Sequence, residues 1–241
     1  MIGYTAWVLV GLLLAFAAMR WQPRALMLAA GERAVLRFAA IGGAVLGAYG
    51  LQLPADLWGW NAPMPAGFGG DALPLGGRTV LGGLLGGWLG VEVGKRLAGV
   101  RQPTGGDFAL PLALALGCGR LGCLCAGCCA GRVCDAAWYA TRDADGVPRL
   151  PVQALEAGFH FLAAIALAVL AVRGRLPTQR LAIYLTAYAV VRFLLEFWRQ
   201  HPVVAFGLSW HQFLALALLA LAGGTWLRRA RGSAAIAPVA R

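Results

Sequence analysis

Apolar residues run along this chain in seven stretches, about 3–19, 36–53, 79–98, 108–130, 153–172, 181–198 and 208–227, and the gaps between them collect most of the basic residues. Each stretch is close to the roughly 20 residues that carry a helix across a bilayer core. The pattern predicts an all-α integral membrane protein with about seven transmembrane helices. A single membrane domain is expected over 1–231 and a disordered tail over 232–241. The third stretch reads Leu81-Gly82-Gly83-Leu84-Leu85-Gly86-Gly87-Trp88-Leu89-Gly90. Small residues at this spacing let membrane helices approach closely; the alternative is room for a lipid or a substrate backbone.

An odd number of spans puts the termini on opposite sides, and basic residues decide which. One set of loops, with the C-terminal tail, carries 14 Lys and Arg, and the opposite set carries 5. The positive-inside bias places the N-terminus outside and the C-terminus in the cytoplasm. No basic residue precedes the first stretch, so it reads as a retained span rather than a signal peptide, although Ala15-Phe16-Ala17 mimics a cleavage site. Two outer loops follow. Residues 54–78 are rich in Pro, Gly and Trp (Trp58, Trp60) and read as an interfacial loop or a small cap. Residues 131–152 hold Asp135, Asp143 and Asp145, which lack a metal-loop spacing and read as solvated.

Composition agrees with the pattern. Of 241 residues, 60% are hydrophobic and 13% charged, and the mean hydropathy is +0.69. These values exclude an ordinary soluble enzyme and a disordered chain. A net charge of +11 would suit nucleic acid only if it were gathered on a soluble face. Here it follows topology, so no nucleic-acid partner is expected and a multi-pass protein of a bacterial inner membrane is.

Charge inside a membrane is costly and functional more often than not. Five of the charged residues within the stretches carry weight: Glu92, Arg120, Glu156, Arg192 and Glu196. Glu92 lies one turn from Arg96 and reads as an interfacial pair. Arg192 and Glu196 stand four apart on one face, and Arg199 continues that face toward the outer surface. They form either an ion pair or a fork for a lipid phosphate. Arg120, between Gly119 and Gly122, needs a partner and is expected to meet Glu156, Glu196 or a phosphate. Gln153, Glu156 and His160 share a face, as a polar seam or a proton relay.

All six cysteines fall between Cys118 and Cys134. Cys125 and Cys128 form a C-x-x-C on a segment that approaches the outer face, where disulfides form. Thiol–disulfide chemistry and small apolar packing remain open; zinc would need a second ligand pair, which His160 or His201 could supply only by folding, so no metal and no cofactor are expected.

The segment Gly119-Arg120-Leu121-Gly122-Cys123-Leu124-Cys125-Ala126-Gly127-Cys128-Cys129-Ala130-Gly131-Arg132 resembles the G-R-x-G-N-F-x-N-x-E-x-x-G-R signature of bacterial prolipoprotein diacylglyceryl transferases. Asp107-Phe108 with Pro111 resembles the start of the same span in that family. Pro151-Val152-Gln153-Ala154-Leu155-Glu156 is similar to its H-P-S-Q-L-Y-E, and Arg192 to Gln200 to its R-x-x-x-E-F-F-R-Q. The resemblance implies transfer of diacylglycerol from phosphatidylglycerol to the lipobox cysteine thiol of a prolipoprotein, with loss of glycerol phosphate, by a monomer. It implies that Arg120, Arg192, Arg199, Gln153 and Gly131 serve the lipid phosphate, and that Glu156 and Glu196 orient the arginines or handle protons. The chain departs from the family where chemistry is expected. The family's F-H-G-G-L is Val80-Leu81-Gly82-Gly83-Leu84, so the histidine proposed as base is Leu81. The two signature asparagines are Cys123 and Ala126, and the signature glutamate is Cys128. Substitute proton acceptors are Glu156, His160 and a thiolate at Cys123 or Cys128, where Arg120 one turn away favours ionisation. Two other functions fit these departures: a phospholipid-binding pseudoenzyme on the same scaffold, and a membrane thiol–disulfide oxidoreductase using Cys125 and Cys128.

Overall fold

The computed structural model describes residues 2–22, 28–60, 78–135, 138–143 and 145–235. The helices are α1 (Ile2–Trp21), α2 (Ala30–Gly50), α3 (Leu53–Leu57), α4 (Val80–Leu97), α5 (Ala109–Cys125), α6 (Val152–Val172), α7 (Arg180–Glu196) and α8 (Trp210–Ala235). A helix thus covers each of the seven apolar stretches, with α3 as a short addition. Five of these segments are long and apolar enough to cross a membrane: Gly3–Trp21, Ala30–Leu57, Gly106–Cys125, Val152–Val172 and Trp210–Arg231. The other two helices, α4 and α7, are shorter, at 18 and 17 residues, and α4 ends in Glu92, Lys95 and Arg96. The protein is mostly helical and is a multi-pass membrane protein.

Lipid is as apolar as leucine, so helices in it associate through close contact and polar pairing rather than through the hydrophobic effect. The α2–α4 seam works by contact. A Cβ added to Gly47 would stand 2.3 Å from the Gly82 carbonyl oxygen, and one added to Gly86 would stand 2.2 Å from that of Gly43. The glycine pattern of the third stretch is therefore a packing seam, and α2 supplies the matching glycines. Gly11 of α1 similarly meets Cys118 of α5, with 2.8 Å between Cβ positions. Around the centre, Leu81, Leu185, Tyr188 and Leu218 are fully buried and join α4, α7 and α8 in one core.

The chain differs from expectation in four places, and a fifth feature adds detail to the Trp-rich loop. First, α5 stops at Cys125 rather than near 130, because Gly127 and Cys129 adopt φ of +67° and +61° and turn the chain. Secondly, the segment 131–152 contains a two-residue antiparallel ladder, β1 (Thr141–Arg142) with β2 (Pro148–Arg149). Within it, Asp143 is buried rather than solvated. Its carboxylate takes Arg149 as an ion pair and accepts the Val147 and Asp145 amides at 2.9 and 3.0 Å. Thirdly, Glu92 pairs with Lys95 at 3.1 Å and not with Arg96, since the i,i+3 neighbour is also in reach. Fourthly, α8 runs through Ala235, so 232–235 is helical where a disordered tail was expected; 236–241 lie outside the described residues. Fifthly, Trp58 and Trp60 pack as a group with Trp210, with ring centroids 5.0 and 5.8 Å apart, and the Trp210 indole donates to the Leu51 carbonyl at 2.7 Å. The rest of the 54–78 loop, from 61 to 77, lies outside the described residues.

Candidate functional site

Helix α7 carries polar heads at every fourth residue: Tyr184, Tyr188, Arg192 and Glu196. With 3.6 residues per turn these fall on one face, and all four are buried. Helix α6 turns Glu156 and His160 toward them from its own buried face, which also carries Gln153. Helix α5 contributes Arg120. The remaining cation, Arg199, lies just beyond α7, in the turn where its amide bonds the Glu196 carbonyl at 3.0 Å.

These residues converge on Glu156, which has no exposed surface. Arg120 Nη2 stands 2.9 Å from its Oε1, Arg192 Nε 4.0 Å from the same oxygen, and Arg199 Nη2 3.4 Å from Oε2. The Tyr188 hydroxyl donates to Oε1 at 2.6 Å. Arg192 also pairs with Glu196, Nη1 to Oε2 at 2.5 Å. A buried carboxylate is tolerable only when charge and hydrogen bonds replace its lost hydration, and Glu156 has both. The balance is uneven: three guanidiniums face two carboxylates. An arginine stays protonated in this setting, so the cluster keeps an excess positive charge suited to an anion.

The other expected site residues divide. His160 is fully buried beside Tyr188, with ring centroids 4.7 Å apart. Its Nδ1 lies 2.8 Å from the Tyr184 hydroxyl, while its Nε2 has no hydrogen-bond partner. Glu156 and His160 are thus each held by a tyrosine of α7. Gln153 turns away from the arginines and donates to the Cys128 carbonyl at 2.8 Å. Gly131 is walled in: a Cβ there would meet the Trp198 carbonyl oxygen, Leu150 and Val152 at 2.8 Å each. Its neighbour Arg132 donates its amide to the Trp198 carbonyl at 2.7 Å. Gly131 therefore joins the end of α7 to the start of α6, a close approach that only glycine allows.

The thiols gather differently from the C-x-x-C spacing. Sulfurs of Cys123, Cys128 and Cys129 lie within 4.8 Å of one another, and Cys125 is exposed; all six cysteines are free. The Cys128 amide bonds the Cys123 carbonyl at 3.1 Å, which folds the turn back on α5. A second group with ligand chemistry, Glu196, His201 and His211, gathers at the end of α7. At position 81, Leu81 is 1% exposed and packs into the core that contains Tyr188. That place beside the cluster is apolar.

Sequence reasoning passed over Tyr184, Tyr188 and His211, and weighed His201 only as a partner for the cysteines. The four-residue stripe on α7 was a readable signal for the tyrosines. The histidines carried none, because they meet only when the chain between α7 and α8 doubles back.

The chain matches the family described as prolipoprotein diacylglyceryl transferase over residues 2–228. Phosphatidylglycerol–prolipoprotein diacylglyceryl transferase 2 of Clostridium perfringens is 31% identical over 150 residues, 59% of this chain and 59% of that one. The corresponding transferase of Bordetella parapertussis is 33% identical over 168 residues, 65% of this chain and 63% of its own. That of Bordetella avium is 36% identical over 149 residues, 58% and 56% respectively. The chain spans about three fifths of the length of these relatives.

Proposed function

The chain belongs to the prolipoprotein diacylglyceryl transferase family, and from that premise we propose that it binds phosphatidylglycerol, or a related anionic phospholipid, and transfers its diacylglyceryl group to a cysteine thiol. The convergence of Arg120, Arg192 and Arg199 on Glu156 carries this reading. Their surplus charge suits a phosphodiester, and guanidinium forks match phosphate oxygens in pairs. Glu156 and Glu196 hold the arginines in place. Gln153 and Gly131 position the Cys128 turn and the α6–α7 junction. In the transfer, a bond forms between the acceptor sulfur and the terminal glyceryl carbon of diacylglycerol. The bond from that carbon to the phosphate oxygen breaks, and glycerol phosphate leaves with both electrons. The thiol proton passes to a nearby base, for which Glu156, His160 Nε2 and a thiolate at Cys123 or Cys128 are the candidates. The acceptor is a prolipoprotein cysteine. The chain works as a monomer with seven spans in a bacterial inner membrane, its N-terminus outside and its C-terminus in the cytoplasm.

The buried Leu81 favours a second reading, in which the protein binds the same lipid without turnover. One set of measurements separates the two. The purified protein is extracted and its lipid identified by mass spectrometry; a lipobox peptide is then offered with phosphatidylglycerol, and rescue of a cell depleted of its housekeeping transferase is scored. Bound anionic lipid with peptide modification supports the transferase. Bound lipid with neither modification nor rescue supports the binding protein. Unchanged lipid content in Arg120→Ala and Arg192→Ala overturns both.

A further inference from the structure

We propose that Glu196, His201 and His211 form a binding site for a divalent transition-metal ion, with zinc as the natural candidate. The site lies where the chain between α7 and α8 folds into a short hairpin, β3 (Val203–Ala205) with β4 (Leu208–Ser209). Val203 pairs with Ser209, two residues from each histidine, so the hairpin brings His201 and His211 together. Their rings stack with centroids 4.2 Å apart. His211 sits in the first turn of α8, and a capping box fixes that turn. The Ser209 amide donates to Gln212 Oε1 at 2.9 Å, and the Gln212 amide donates to Ser209 Oγ at 3.3 Å.

Both imidazoles point Nδ1 at one carboxylate oxygen. His201 Nδ1 lies 2.5 Å from Glu196 Oε1, and His211 Nδ1 lies 3.7 Å from it. The three ligand atoms fall within 4.8 Å of one another. His211 is buried, and its Nδ1 has no hydrogen-bond partner. A buried ring nitrogen without a partner is costly, and a metal ion is a partner that both rings and the carboxylate can share. Zinc ligands about 2.0–2.1 Å from the ion stand about 3.3 Å apart at tetrahedral angles. The two histidine-to-carboxylate distances straddle that value. Two histidines and a carboxylate leave a fourth position open.

The surroundings fit a ligating carboxylate. Glu196 Oε2 is taken by Arg192 at 2.5 Å, and Ser209 Oγ donates to Oε1 at 3.0 Å. Such outer hydrogen bonds orient ligands in metal sites. Neutral His nitrogen ligates a metal without adding charge of its own, and Glu196 supplies the anionic ligand.

The test uses the full chain in detergent, stripped with chelator and reloaded with zinc alone. Bound zinc is counted by elemental analysis, and cobalt is substituted to read the ligand type. One ion per chain is expected, with no thiolate-to-cobalt charge-transfer band. His201→Gln and His211→Gln should each weaken zinc binding by more than about tenfold, the scale of loss that even a supporting residue brings. The triple variant C123S/C128S/C129S should keep zinc. Zinc should raise the melting temperature of the parent and of the triple variant, but not of the histidine variants. If zinc follows the cysteines instead, or none is held after reloading, the proposal is overturned. A histidine variant that melts below the metal-free parent is judged against that parent, so misfolding is not mistaken for lost ligation. Lipid content, measured in parallel, stands or falls independently.

Discussion

The α2–α4 seam and the α5–α6–α7 cluster both hold helices together in an apolar medium, and they do so by opposite means. Along the seam, glycines remove side chains until backbones touch, and a single Cβ at Gly47 would stand 2.3 Å from a carbonyl oxygen. In the cluster, large polar side chains meet at depth, and Arg120, Arg192 and Arg199 surround one carboxylate. A seam of that kind contributes structure and leaves no chemistry behind. The cluster has more charge than its own structure needs, since two carboxylates would balance two arginines. That surplus is what a purely structural contact lacks, and it marks the cluster as the place for an anion.

The comparison breaks most severely at Glu156. Glu156→Ala leaves three guanidiniums at depth with only Glu196 to answer them. Removing one partner of a buried pair costs about 3–5 kcal/mol, so a large fall in melting temperature and loss of co-purifying lipid are expected. A variant that melts like the parent and keeps its lipid would show that the cluster is not held by this carboxylate.

Arg192→Lys keeps the charge and removes the fork that reaches Glu156 and Glu196. Hydrogen bonds to charged groups contribute about 1.5–3 kcal/mol each, so lipid retention in a competition assay should fall by about tenfold or more while the helix content is unchanged. Equal retention by lysine would mean that charge alone, not fork geometry, holds the lipid.

Gly47→Ala strikes the other region. Overpacking costs about 1–3 kcal/mol, and α2 must shift away from α4. Thermal stability should drop, while lipid bound per folded molecule stays at the parental level. Lost lipid binding in the folded fraction would mean that seam and site are coupled, against the separation drawn above.

The smallest effect is expected in the loop between α5 and α6. Arg149, with the Val147 and Asp145 amides, holds the Asp143 carboxyl below its usual range. Because the folded-state value is lowered, the loop's stabilisation is complete above the ordinary carboxylate range and is lost as pH falls through the lowered value. Limited proteolysis of 131–150 should therefore show protection from neutral pH down to about pH 4 that fails only in stronger acid. Asp143→Asn should show weaker protection with little dependence on pH. An identical profile in both would remove Asp143 from the loop's support.

Much of this was legible along the chain, and unevenly so. Helix positions follow from runs of apolar residues, which is why each of the seven stretches holds a helix. Arg120 was expected to need Glu156, Glu196 or a phosphate, and it pairs with Glu156, because a buried guanidinium must find an anion. The Arg192–Glu196 pair follows from i,i+4 spacing. Ends of elements were less legible: α5 stops at Cys125 because the backbone turns at Gly127 and Cys129, and a positive φ at a cysteine has no sequence signal. The C-x-x-C spacing pointed to Cys125 and Cys128. The turn groups Cys128 with Cys123 and Cys129, since sulfur proximity depends on how the segment folds back rather than on its spacing.

By itself the sequence determined that this is a helical membrane protein of a recognisable family and that its buried charges lie on three helices, because hydropathy, i,i+4 geometry and family motifs are properties of neighbours along the chain. Only the tertiary structure decided that Glu156 is the point where three arginines meet, that Tyr188 serves it, and that the β3–β4 hairpin sets His211 against Glu196. Those are contacts between residues far apart in sequence, and their geometry exists only once helices from different parts of the chain have packed.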